Sequence, residues 1–226
     1  MRKSVLTGIV FALVLTAGAH GGIVYDSTAG LQMGDIYSTN VLDDCVLSGG
    51  GPVTIQAMHF GFENVDAVSE RVDAIISFWD SVNVAATNTE IVNTVLLGTF
   101  RHPLGLVAGG SVQTTGLFNL PSAIGVADGS LGVQVFIVQE GTETQANYVY
   151  PLMTIGDAPV VGSTSDAYWS DTDQDGTPFL GWDKVGAGTP GAYANLYLQL
   201  SDVPEPATLS LLAFCGLGML ARRRHR

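Results

Sequence analysis

Asp171-Thr172-Asp173-Gln174-Asp175-Gly176 is the stretch whose residue types and spacing most directly suggest chemistry. Alternate carboxylates converge when a chain wraps a hard cation, and a glycine permits the sharp turn this needs. An EF-hand would carry a bidentate glutamate at the twelfth position. Here that position is Trp182, with Asp183 one further, and no flanking helices are evident. A calcium loop of another geometry would use Asp171, Asp173 and Asp175, with Asp183 or Asp166 completing the shell. A solvated acidic turn accounts for the same residues. Oxygen ligands at these spacings are needed for calcium but do not suffice for it, so both readings stand.

Tyr168, Trp169, Phe179, Trp182 and Tyr193 cluster around this run. Aromatic faces beside acidic groups stack on sugar rings and hydrogen-bond their hydroxyls, which makes Trp169 and Trp182 candidate glycan contacts. The alternative is that these rings cover one end of a β-domain. Catalysis has less support. The histidines left after the two ends are set aside are His59, in an expected strand, and His102, before Pro103 in an expected turn. There is no HExxH, no Cys-His zinc spacing, no G-x-S-x-G elbow and no Gly-rich phosphate loop. Carboxylates are plentiful enough that counting does not exclude a glycoside-hydrolase pair.

The elements that must position these residues read as strands. Val, Ile, Thr and aromatics come in short runs punctuated by Gly-rich turns, and no long stretch keeps a helical period. Expected strands are Ile23–Asp26, Tyr37–Leu47, Val53–Phe62, Val72–Val82, Ile91–Phe100, Ser111–Phe118, Leu131–Gln139, Tyr148–Ile155 and Tyr193–Leu200. Met58, Phe60 and Phe62 share one face at period two, opposite His59 and Gly61. Leu131–Gln139 becomes apolar on both faces, which predicts a central strand. Glu63–Arg71 is polar, and predicts a turn or a brief helix. The fold class expected is all-β: an antiparallel, jelly-roll-like sandwich.

Both ends of the chain differ from this middle. Met1-Arg2-Lys3, an apolar run over Val5–Ala17 and the small residues Ala17-Gly18-Ala19 read as a signal helix, a secretory leader over residues 1–21. At the other end Val203-Pro204-Glu205-Pro206 is an extended segment, since each proline biases its predecessor away from helix. Ala207–Ala221 is apolar but for Thr208 and Ser210, and Arg222, Arg223, Arg224, His225 and Arg226 form a basic block. As a helix the apolar part reaches about 22 Å against a hydrocarbon core of about 30 Å. Flanking residues and snorkelling arginines absorb the mismatch.

Motif, short apolar helix and basic terminus in that order resemble the PEP-CTERM sorting signal of bacteria. The resemblance covers about a tenth of the chain. It implies recognition of Val203, Pro204, Glu205 and Pro206 by a membrane-embedded exosortase, and delivery of the ectodomain to the cell surface or matrix. Arg222, Arg223, Arg224 and Arg226 would stay on the cytoplasmic side.

Residues 22–202 are then one ectodomain. All 21 acidic residues of the chain lie between Asp26 and Glu205, and six of its nine basic residues belong to the two ends. Without Glu205 the ectodomain has 20 acidic against 3 basic residues, a net of −17. Such a surface disfavours nucleic acid and anionic lipid. Cys45 is its one cysteine, so no internal disulfide forms. The expected partners are the Sec-type export machinery, signal peptidase, an exosortase-like enzyme, the membrane through the 207–221 helix and extracellular polysaccharide. No cofactor is required, calcium being the one candidate. The expected function is a non-enzymatic surface or extracellular-matrix protein. A carbohydrate-binding module, with or without calcium, and a secreted hydrolase are the alternatives.

Overall fold

The computed structural model describes residues 22–29, 31–33, 38–82, 95–155, 157–165, 167–171, 182–186 and 194–202. The leader, the segment from Val203 onward with its expected helix, and Asp166, Asp173 and Asp175 lie outside these residues. The strands are β1 (Ile23–Asp26), β2 (Leu31–Met33), β3 (Asn40–Val46), β4 (Val53–Asn64), β5 (Glu70–Trp79), β6 (Leu96–Val107), β7 (Ser111–Thr114), β8 (Phe118–Val126), β9 (Ser130–Gln139), β10 (Val149–Pro151), β11 (Met153–Ile155), β12 (Ala167–Asp171), β13 (Trp182–Gly186), β14 (Ala194–Leu196) and β15 (Leu198–Ser201). Every pairing between them is antiparallel.

One six-stranded sheet runs β13-β12-β3-β9-β5-β6. A second runs β1-β15-β4-β10, with β7 and β8 also paired to β4. A small third sheet has the order β14-β11-β2. One apolar core takes Val41, Cys45, Val72, Ile76, Phe78, Val133, Val135 and Ile137 from the first sheet, and Tyr25, Ile55, Met58, Phe60, Phe62, Ile124 and Leu200 from the second. The period-two face Met58, Phe60, Phe62 points into that core, and β9 is central, between β3 and β5. Phenylalanine rings join the layers: Phe78 stacks on Phe100 at 6.0 Å, and Phe100 and Phe60 each meet Phe118 edge-on, at 6.4 and 6.3 Å.

Two strands run through positions the sequence marks as breaks. β6 continues past His102-Pro103, and β8 contains Pro121. β6 is the outermost strand of its sheet, where a missing N–H leaves no ladder bond unmade. Its register slips beside Pro103, where Val72 faces Gly105 and Asp73 faces Pro103. Pro121 falls in a larger irregularity, between Asn119 opposite Ala57 and Ile124 opposite Ile55. Bulges thus absorb both prolines, and His102 sits in a strand rather than in the expected turn. Glu63–Arg71 is a strand end, a turn and a strand start, without a helix.

The expected strands Tyr148–Ile155 and Tyr193–Leu200 each divide at a single residue, Leu152 and Tyr197. There the chain passes between the second and third sheets. The crossing is tied by three backbone bonds: Leu152 N–H to Gly61 O (2.9 Å), Gly61 N–H to Tyr197 O (3.1 Å) and Tyr197 N–H to Leu152 O (2.8 Å). A Cβ on Gly61 would lie 2.7 Å from Leu152 Cδ2, 2.9 Å from Leu152 Cβ and 3.0 Å from Tyr197 Cδ1. A glycine is therefore required at the middle of β4. Gly61→Ala should lower stability by about 1–3 kcal/mol, the usual cost of overpacking, as a reduced urea midpoint. Gly125→Ala, whose Cβ would meet open space, should stay within about 0.5 kcal/mol of wild type. Equal midpoints for the two variants would show that the crossing has slack.

Candidate functional site

Asp171 closes β12 and is the cross-strand partner of Trp182, the first residue of β13. The acidic run thus begins on a strand and enters the β12–β13 connection, whose residues 172–181 lie outside those described. Asp183 pairs with Ser170, one register position away from Asp171. Among the described residues, no group of three or more His, Cys, Asp or Glu is arranged to hold a metal ion.

Asp171 itself is 1% exposed. It ends a chain of polar side chains that crosses the outward face of the first sheet. Trp79 Nε1–H donates to Gln134 Oε1 (3.2 Å), Gln134 Nε2 donates to Asn40 Oδ1 (2.9 Å), and Asn40 Nδ2 donates to Asp171 Oδ2 (3.5 Å). Ser38 Oγ–H donates to the Asp171 carbonyl (3.1 Å) or to that of Asn40 (2.9 Å). Buried polar groups of this kind are costly unless paired, and here each finds a partner on the next strand. Trp169 shares this face, opposite Leu42, and is completely buried. The ring of Trp169, expected as a glycan contact, is thus not on the surface of the described fold. Trp182 lies on β13 at the sheet's edge. Sequence reading missed Trp79, Gln134 and Asn40, because only strand register brings such distant positions together.

A second set of titratable groups lies on the inward face of β3. Val41, Asp43 and Cys45 alternate toward the core, so a carboxyl stands between two apolar side chains. Asp43 Oδ2 accepts the Leu196 N–H (2.8 Å) from β14, while Oδ1 is buried without a partner. Burial, reinforced by neighbouring Asp44, pushes the Asp43 carboxyl well above the usual carboxylate range. Burial, with the negative charge of Asp43 nearby, also raises the Cys45 thiol and the Tyr25 phenol. Cys45, a free thiol 1% exposed, is a core residue. Asp44 points the other way and binds the 163–165 segment, accepting Ser165 N–H (2.9 Å), Ser165 Oγ–H (2.6 Å) and Thr164 Oγ1–H (3.3 Å). Sequence reading missed this set too; the signal that could have found it is the alternation Val41, Asp43, Cys45, which puts an acid at an apolar position.

The histidines and arginines serve packing and turns. His102 stacks on Phe118 at 3.8 Å, and His59 meets Tyr197 at 5.7 Å. Burial lowers the pKa of both imidazoles. Arg101 bonds Asp73 (2.9 Å), Glu143 (2.7 Å) and the Thr142 carbonyl (2.8 Å), and Asp73 also accepts Gly141 N–H (2.9 Å). Arg71 pairs with Glu140 at 3.4 Å. Both arginines thus fasten the turn after β9. Glu70 holds the segment before β10, accepting the N–H groups of Asn147 (2.9 Å) and Tyr148 (3.1 Å).

Asp43 yields a test with a definite sign. Its folded pKa is raised, so its contribution favours the fold most below the ordinary carboxylate pKa. That contribution falls by about 1.4 kcal/mol per pH unit as the unfolded chain alone loses its proton. It levels off once the folded carboxyl ionises. Asp43→Asn keeps an oxygen acceptor for Leu196 N–H and removes the titration. Urea unfolding from pH 4 to 8 should show the variant gaining stability relative to wild type as pH rises. A difference independent of pH would remove Asp43 as a buried acid.

β1 and β15 bring the two ends of the described domain together. Ile23 pairs with Ser201, so residues 22 and 202 meet at one end of the second sheet. The Gly22 N–H donates to the Asp202 carboxylate, and the Asp202 N–H to Gly22 O at 3.2 Å. Among the described residues, no helix is long and apolar enough to cross a membrane. No curated protein and no solved structure matches the chain. One family model does match, over residues 202–224 and so about a tenth of the chain: the PEP-CTERM protein-sorting motif. The motif implies export, a membrane-anchored C-terminal segment before processing, and exosortase-dependent sorting of a secreted surface protein. The residues that follow β15, beginning at Asp202, are a PEP-CTERM protein-sorting motif.

Proposed function

We propose that this protein is a non-enzymatic surface or extracellular-matrix component, a structural or adhesive β-domain delivered by its sorting motif. Sec-type export and signal peptidase remove residues 1–21. Ala207–Ala221 holds the domain at the membrane, with Arg222, Arg223, Arg224 and Arg226 inside. An exosortase-type enzyme acts at Val203–Pro206. The observation that carries this reading is the motif match adjoining the last strand of the domain. A jelly-roll-like sandwich is part of the proposal, supported by the single core that both six-stranded sheets supply. Its non-enzymatic character is supported by how the carboxylates are used. Asp43, Asp44, Glu70 and Asp73 each accept a backbone N–H that holds a strand or turn in place.

Intact-mass measurement of the surface or matrix protein tests the proposal. The expected species begins at or near Gly22 and ends within or next to Val203–Pro206. Replacing Pro204-Glu205-Pro206 by alanines should leave the full C-terminal segment attached and the protein in the membrane fraction. A wild-type surface species that still ends in Arg226 would contradict the processing.

A further inference from the structure

We infer that the outward face of the first sheet, over β9, β5 and β6, is a binding site for a neutral polysaccharide. The site gives the adhesive reading of the domain a ligand, and it rests on that reading. An antiparallel sheet with one face in the core and one in water alternates apolar-in with polar-out. The first sheet departs from this. Val72, Ala74, Ile76 and Phe78 of β5 and Val133, Val135 and Ile137 of β9 fill the core. The positions between them, which face outward, include Ile75 and Trp79 on β5 and Phe136 on β9, alongside Asp73, Ser77 and Gln134. Apolar side chains on an outer face mark a surface that something covers.

Strand register sets these side chains in rows. Phe136 lies opposite Ile75, and Ile75 opposite Arg101. Two residues along, Gln134 lies opposite Ser77, and Ser77 opposite Thr99. Trp79 follows two residues further on β5. A row of amide and hydroxyl groups is thus flanked by an aromatic on each side. Phe136 and Trp79 stand four register positions apart, roughly 13 Å along the strands. Ser77 Oγ and Thr99 Oγ1 are 3.0 Å apart, and Trp79 Nε1–H donates to Gln134 Oε1, which holds the indole edge at the row. Whichever hydroxyl of the Ser77–Thr99 pair donates, the other keeps its proton for a ligand. The face is closed over β12 and β3, where Trp169 and Leu42 are completely buried. It is open over β5 and β6: Thr99 is exposed, and Ile75, Ser77, Trp79 and Phe136 are half-buried.

The chemistry of the face selects its occupant. A sugar ring presents C–H faces together with hydroxyls, and it needs rings and hydrogen-bonding groups from the same surface. Here the two kinds alternate at strand spacing. Arg101, beside Ile75, is already bound by Asp73 and Glu143, so it offers no unpaired charge to an ionic polymer. The net charge of the ectodomain, −17, repels polyanions. A purely apolar partner would bury the Ser77 and Thr99 hydroxyls without pairing them, which is costly. A neutral polysaccharide meets all of these conditions.

The test uses the full-length chain in detergent. Cellulose is offered in pull-down, laminarin and dextran in affinity electrophoresis, and alginate serves as the acidic control. At least one neutral polymer should retain the protein, and alginate should not. Phe136→Ala, and Thr99→Glu at the exposed end of the row, should each weaken retention about tenfold. Val112→Ala, on the second sheet, should leave retention unchanged, and urea midpoints show that each variant is folded. Retention by no neutral polymer, or equal retention of wild type and both variants, would overturn the site. So would a dimer in sedimentation that Thr99→Glu dissociates, which would assign the face to a second copy of the chain. None of these results touches delivery, which is read from the mature termini. Absence of the protein from the surface and matrix fractions would instead remove the adhesive reading.

Discussion

The close approach at Gly61 is the constraint on which the rest of this architecture depends. β4 faces the core through Phe60 and Phe62, so its other face must carry the chain that switches from the second sheet to the third. Leu152 and Tyr197 make that switch at one point, Leu152 donating to the Gly61 carbonyl and Tyr197 accepting its N–H. With a Cβ at that point the two segments could not approach, and β10–β11 and β14–β15 would lose their common register. The position of β15 follows from this crossing, and with it the place where the chain leaves the domain.

The charge distribution is also explained by position. The domain holds far more acidic than basic residues, yet several of the acids are not surface charge. Asp43, Asp44, Asp73 and Asp171 are all buried, and each is tied to the backbone or side chain of a neighbouring segment. A domain without an internal disulfide gains its cross-links between strands and loops in this way. A buried carboxylate accepting an N–H contributes more than a neutral pair but costs more when a partner is lost. The two described arginines are placed to match: Arg71 on β5 and Arg101 on β6 both bind acids of the turn after β9.

Many of the strands were legible in the sequence, though not their order in the sheets, and the reasons for the misses are local. Ile23–Asp26 followed from its short β-prone run, the inward face of β4 from period-two patterning, and the central place of β9 from its apolar second face. β8 and the second half of β6 were hidden because Pro121 and Pro103 read as breaks, whereas edges and bulges accommodate them. β12 and β13 sit in a stretch whose Gly and Asp content resembles a loop. Trp169 illustrates the deeper limit: composition places an aromatic beside acids, but only register decides that it faces Leu42 and is buried. The sorting segment was readable for the opposite reason. Its signal is linear, an extended motif, an apolar run and a basic block, and needs no tertiary context.

Fold and sorting signal meet at Asp202. The domain brings its first and last strands together and keeps the chain in a ladder up to the residue where the motif begins. The signal therefore begins at Asp202, the residue that follows the last strand of the folded domain. Hydrogen–deuterium exchange on the exported protein tests this most directly. The ladder amides of β15 and the Asp202 amide should be protected. Exchange of residues 198–202 at the rate of a free chain would contradict the account.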